Sequence, residues 1–165
     1  MIALVSARAA LPLDEDMPPL VAALTALGAH VETPAWDDGR VDWARFDVAV
    51  LRSTWDYVDR IAEFLDWAER CRRVTRLLNP PAIVRWNTDK HYLAHLASHG
   101  VPVVPTRFVD PGMDTAAAFA AFLAGGEASL STGAPVDFTD FVVKPTIGAG
   151  SRDAARYRRA DAEAA

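Results

Sequence analysis

The chain has little of what several common function classes require. Its single cysteine, Cys71, excludes an intrachain disulfide and a cysteine-built zinc site. Following Ala68 in a helical pattern, Cys71 reads as a packed side chain rather than a nucleophile. Cations are outnumbered, 17 Lys and Arg against 22 Asp and Glu, for a formal net charge of -5. A nucleic-acid or anionic-membrane surface would need the opposite balance, so neither is an expected partner. No apolar run approaches the roughly 18 uninterrupted residues of a membrane span. The N-terminal MIALVSARAALPL has no basic residue ahead of its apolar stretch, and Arg8 interrupts it, so it reads as a first strand and not a signal peptide. Cytoplasmic residence is the resulting expectation. Two nucleotide fingerprints are missing as well: GxxxxGK[ST] does not occur, and Gly148-Ala149-Gly150 has Asp153 where a third glycine would stand.

What is present is a globular pattern, 51% hydrophobic with charges of both signs, enough to bury a core. IALVS, residues 2–6, predicts a short buried strand. Pro18 and Pro19 suit the first turn of a helix that carries Leu20, Val21, Leu24 and Leu27 on one face and stops at Gly28. AHVETPAW predicts a second strand, and FDVAVLRS, residues 46–53, a third that is apolar on both faces as in a parallel sheet. Ile61, Phe64, Leu65, Ala68 and Cys71 recur at helical spacing, and Leu77 and Leu78 mark a further strand. NPP at 79–81 breaks the chain into halves. In the second half Asn87 or Thr88 caps a helix running to about Ser98, Gly100 ends it, and VPVVPTRFV is extended. An Ala-rich helix over 115–124, the turn-forming GGEASLSTGAP, the strand FVVK and a terminal helix at RADAEAA complete the order. The expectation is an α/β fold whose second half starts near 85.

The chemistry concentrates in two places. Lys90 falls in the first turn of its helix, where the macrodipole disfavours a cation. Either Asp89 and solvent neutralise it or an anionic ligand does. Lys144 shares a strand face with Val142, and an ammonium beside an apolar face needs an anion or water. Two lysines and the loop Gly148, Ala149, Gly150, Ser151 suit a polyphosphate: point charges for some oxygens, backbone N–H groups for the others. The cluster Arg152, Arg156, Arg158 and Arg159 reads as a solvated face.

The second place is the carboxyl end of the third strand, where open α/β sheets bind ligands. Arg52 suits a bidentate clamp on a substrate carboxylate, with Ser53, Thr54 and Tyr57 as hydrogen-bond partners; the bland alternative is a helix capped by Asp56 with Trp55 and Tyr57 packing. Ser6 and Arg8 follow the first strand and face the same crevice, whereas the run Asp14, Glu15, Asp16 reads as the solvated start of a helix. His91, His95 and His99 share a helix face, but no intervening carboxylate makes them an HExxH pair, and no metal site is expected.

In order and company, NTDKHYLAHLASHGVPVVPT followed by FVVKPTIGAGSRD resembles the ATP-grasp superfamily, and the resemblance extends over essentially the whole chain. It implies a Rossmann-like pre-ATP-grasp domain over 1–80 and, over 85–165, the first part of an ATP-grasp nucleotide-binding domain. It further implies that Lys90 and Lys144 hold the phosphates of ATP and that Gly148 to Ser151 is the flexible loop closing over them. Magnesium ligands would lie in a C-terminal half beyond these residues, leaving the 165 residues catalytically incomplete. LRSTWDY, NPP and WNTDK resemble more narrowly the branch containing the O-ureidoserine cyclo-ligase of cycloserine biosynthesis, with glutathione synthetase and RimK-type ligases more distant. The implied activity is an ADP-forming ligase: a carboxylate or amino-acid substrate is phosphorylated and an amine-type nucleophile attacks the acylphosphate. A non-catalytic α/β module that binds a nucleotide or an amino acid is the alternative.

Overall fold

Four short runs become parallel strands: β1 (Ile2–Ser6), β2 (Val31–Glu32), β3 (Val48–Ser53) and β4 (Arg76–Leu78), in the spatial order β2-β1-β3-β4. They belong to the first of two units, Met1–Thr88 and Asp89–Ala165, of a computed structural model that describes residues 1–124 and 138–163. The expected loop GGEASLSTGAP lies outside the described residues.

From β1 the chain crosses by α1 (Met17–Ala26) to β2 on one side. From β3 it crosses by α2 (Ile61–Cys71) to β4 on the other. The direction of winding therefore reverses between β1 and β3, and such a reversal opens a crevice beyond the carboxyl ends of those two strands. Ser6 and Ser53 are paired in register there.

The core of this unit is aromatic. α2 buries Phe64, Leu65, Ala68 and Cys71, as their spacing requires, and adds Trp67 three residues after Phe64. Trp36 meets Phe64 edge-on at 5.3 Å, and Trp43 meets Trp67 at 5.0 Å. Complete burial of a side chain such as Phe64 contributes about 1.5–3 kcal/mol. α1 is shallower: Leu20, Val21 and Leu24 are half-buried, while Leu27 lies past the helix end and is 84% exposed. There Gly28, at φ 83°, closes a Schellman turn in which Ala29 N–H donates to the Leu24 carbonyl and Gly28 N–H to that of Thr25.

The helix expected from Thr88 to Ser98 is divided differently. Pro81 opens α3 (Pro81–Thr88), so Thr88 ends a helix instead of capping one, and α4 (Tyr92–Ser98) begins only after Lys90. Lys90 N–H leaves the helical ladder and donates to the Thr146 carbonyl at 2.9 Å. A bond to a residue distant in sequence has replaced the one to the preceding turn. Asn79 takes up the reversal before α3 at φ 62°.

The second unit also contains α5 (Thr115–Leu123), capped by Asp114 accepting from Ala117 N–H, and β5 (Asp140–Val143). β5 pairs antiparallel with β6 (Ala155–Arg158), which leads into α6 (Arg159–Glu163). Phe141 is buried between Phe119 and Phe122 of α5 and Tyr157 of β6, with ring centroids at 5.6, 5.6 and 5.4 Å. Sequence reasoning missed β6. Its ARYR is exposed throughout, as a solvated face should be, but its backbone pairs with β5 and Arg156 reaches Asp140 at 3.1 Å.

Candidate functional site

Candidate residues gather in each unit. In the second, Lys90 stands in the turn before α4, outside any first helical turn. Its Nζ donates to the Thr146 carbonyl at 3.1 Å and the Gly148 carbonyl at 3.3 Å. Burial lowers the Lys90 pKa from its ordinary value and the Lys144 ammonium lowers it further, against a weaker opposing pull from Asp89. An ammonium whose charge is disfavoured by burial and by a neighbouring cation is one that an anion would relieve. Lys144 follows β5 and is exposed, as is Val142, so water is available to its ammonium.

The loop between β5 and β6 is shaped by backbone reversals: Gly150, Ser151 and Asp153 all adopt left-handed φ, at 60°, 57° and 56°. Turns close from Arg152 N–H to the Ala149 carbonyl and from Ala154 N–H to that of Ser151. Among the described residues, no acceptor takes the N–H of Gly148, Ala149, Gly150 or Ser151. Unused amides around a left-handed turn are the donor set of an anion-binding nest, here with the Lys90 ammonium on the neighbouring Gly148 carbonyl. Lys90 and Lys144 are also the only lysines of the sequence, every other cationic side chain of this kind being arginine. A compact ammonium is not interchangeable with a planar guanidinium, so that usage was a readable signal.

In the first unit, Ser6 and Ser53 are fully buried at the ends of β1 and β3. Ser6 Oγ donates to the Ser53 carbonyl at 3.3 Å, and the Ser53 hydroxyl donates to Asp14. Asp14, its side chain only 3% exposed, accepts also from Arg52 Nη2 at 3.3 Å and from Asp16 N–H at 3.2 Å. Asp14 is thus no part of a solvated helix start: it is the buried acceptor that joins Ser53 to Arg52. Sequence reasoning missed this role because nothing local separates Asp14 from its acidic neighbours. Thr54 is buried beside Ser53.

Arg8 and Tyr57 each have a partner outside this network. Arg8 pairs with Asp38 at 2.9 Å, its own N–H donating to Asp37, and Tyr57 stacks on Phe64 at 5.5 Å. Asp56 caps no helix; it accepts from the Trp36 indole N–H at 2.8 Å and faces Arg60 at 3.6 Å. An open cleft of about 770 Å³ lies by Glu32, Asp38, Arg40, Asp42 and Arg45, and both of its arginines are already paired, Arg45 with Glu32 and Arg40 with Asp38.

The histidines form no metal cage, and among the described residues no group of three or more His, Cys, Asp or Glu side chains is placed to hold a metal ion. His91 stacks on Phe108 at 4.0 Å and bridges Asp89 at 2.6 Å and Asp110 at 3.2 Å. His95 meets His99 edge-on at 4.5 Å.

Comparison with known proteins bears on both units. Residues 2–79 match the family described as "D-cycloserine synthetase DcsG, N-terminal domain". All 165 residues align at 48% identity with the "Cycloserine biosynthesis protein DcsG" of Streptomyces lavendulae, spanning 52% of that protein. The fold is similar to the "Crystal structure of D-cycloserine synthetase DcsG", with TM-score 0.79 and 48% identity over 99% of this chain and 52% of that one. The chain therefore spans about half the length of the relatives it matches.

Proposed function

We propose that these residues form the N-terminal portion of an ADP-forming ligase of the ATP-grasp type, which activates the carboxylate of O-ureidoserine and closes it to a cyclic product. Similarity to a cycloserine biosynthesis protein over the whole chain supports the substrate class. The observation that carries the nucleotide half is the meeting of Lys90, Lys144 and the 146–151 loop, with its unused amides.

In this reading Lys90 and Lys144 neutralise phosphate charge, and the N–H groups of Gly148 to Ser151 hold the remaining oxygens. Their contribution is positioning and electrostatic stabilisation. ATP would supply the phosphoryl group that lets a carboxylate oxygen, otherwise a poor leaving group, depart as phosphate when the nucleophile attacks the acyl carbon, with magnesium held by residues outside this chain. Arg52, supported by Ser53, Thr54 and Ser6 at the switch point, holds the amino-acid substrate, the guanidinium fork suiting a carboxylate.

The test is the intact protein with ATP, magnesium and O-ureidoserine. Production of ADP that depends on O-ureidoserine and stops with EDTA supports the reading. ADP release indifferent to the amino acid, or cyclisation without ATP, overturns it.

A further inference from the structure

The two carboxylates on Arg52 are not alike. Asp14 is buried and has three donors: the Arg52 guanidinium, the Ser53 hydroxyl and the Asp16 amide. Asp16 is 86% exposed at its side chain and reaches Arg52 Nη2 at 3.2 Å. It also occupies the N-cap of α1, yet makes no side-chain capping bond. The reason lies in the sequence. A capping carboxylate accepts from the N–H of the second or third helical residue, and here those residues are Pro18 and Pro19, which have none. The prolines leave the Asp16 carboxylate without the duty its position normally carries, and it turns to Arg52 instead.

We propose that Asp16 is a placeholder: a carboxylate of the protein's own that occupies Arg52 in the absence of ligand and is displaced by the carboxylate of the amino-acid substrate, while Asp14 remains and fixes the guanidinium. The inference rests on the reading of Arg52 as the substrate clamp. An exposed ion pair contributes little, so exchange of one exposed carboxylate for another is nearly isoenergetic. Asp14 stays because removing a buried, multiply bonded carboxylate leaves several donors without partners. Asp14 is accordingly a positioning residue and Asp16 a competitor.

The experiment is steady-state kinetics of the intact protein with O-ureidoserine as probe. Asp16→Ala lowers the KM for O-ureidoserine about two- to fivefold, the range an exposed ion pair spans. Glu15→Gln, which removes the same charge one residue away, leaves it unchanged. The gain from Asp16→Ala vanishes in an Arg52→Lys background, because both act through one contact. Asp14→Asn raises KM with a smaller change in kcat. Should Asp16→Ala leave KM unchanged or raise it while Arg52→Lys still raises it about tenfold, the placeholder is wrong and the clamp stands. Should Arg52→Lys leave KM unchanged, the clamp fails and the placeholder with it.

Discussion

Lys90 Nζ and the carbonyl oxygen of Thr146 lie 3.1 Å apart, and the same pair of residues is joined a second time through the Lys90 amide at 2.9 Å. The lysine before α4 thus secures the base of the glycine loop by backbone and side chain together. Lys144 has no such role. In the intact protein, Lys144→Ala is expected to weaken ATP binding by about 1.5–3 kcal/mol, the range of hydrogen bonds to charged groups, with the ligand-free thermal midpoint unchanged. Lys90→Ala should weaken ATP binding and also speed exchange of the Arg152 and Ala154 amides, whose bonds to the Ala149 and Ser151 carbonyls close the loop. Calorimetric titration and hydrogen exchange separate the two. ATP affinity within a factor of two of the parent in both variants would refute the phosphate assignment.

Arg52→Lys keeps the charge and loses the planar fork. The KM for O-ureidoserine should rise at least about tenfold, ~1.4 kcal/mol, with the KM for ATP nearly constant. Varying each substrate in turn decides it, and a mutant that loses ATP affinity instead would return Arg52 to a purely structural part.

His91 should make stability depend on pH. The hydrogen bond its ring donates to Asp89 raises its pKa above the ordinary value, with Asp110 adding to the effect. Burial works to raise the Asp89 carboxyl, but hydrogen bonds from the His91 backbone and side chain together hold it lower. A raised histidine pKa means the protonated form is favoured on folding. Its contribution is complete below the unfolded pKa of about 6.5 and is lost as pH rises through the folded value. Asp89 acts oppositely: its contribution is present above its unfolded pKa and lost as pH falls through the folded one. The thermal midpoint of His91→Asn should therefore fall below the parent's under mildly acidic conditions and converge with it at alkaline pH. NMR titration of the His91 ring gives the folded pKa directly, and a value at or below the unfolded one would contradict the bridge.

Cys71 should be inert. Burial alone pushes its thiol up to about 12, so almost no thiolate exists at neutral pH. A thiol reagent such as DTNB should label the folded protein slowly and the urea-unfolded protein at once. Rapid labelling of the folded state would mean that α2 opens readily.

Trp36 and Trp67 offer a contrast within one aromatic core. Trp36 donates to Asp56, whereas the buried indole N–H of Trp67 has no acceptor among the described residues. Trp36→Phe leaves Asp56 short of a donor and should cost about 1–3 kcal/mol beyond the lost packing. Trp67→Phe removes a donor that was already unmatched, so it should cost less. Urea denaturation of the two variants gives the order, and the reverse order would imply an acceptor for Trp67 in solution.

Much of the frame was legible because its causes are local. The apolar run at 2–6, the helical spacing from Ile61 to Cys71 and the glycines at 28 and 100 each dictate a conformation from neighbouring residues alone. Lys90 and Lys144 are chemically unusual in a chain that otherwise uses arginine, and the structure brings Lys90 onto the glycine loop. β6 was not legible, since the residues of ARYR are all exposed and form a strand only through their pairing with Val143 to Asp140.

By itself, the sequence determined the parallel α/β frame, the two lysines and the position of Arg52 at a strand end. Periodicity, turn residues and side-chain chemistry are properties of short segments, and they survive whatever the rest of the chain does. Only the tertiary structure decided the division of 81–98 into two helices, because the competing partner of the Lys90 amide is Thr146, far along the chain. It likewise decided which of three adjacent acids is buried on Ser53 and which is left on the surface of Arg52. It also paired Arg8 with Asp38 and stacked Tyr57 on Phe64. Hydrogen bonds and ion pairs select among chemically equivalent groups by distance, and distance between remote residues does not exist until the chain has folded.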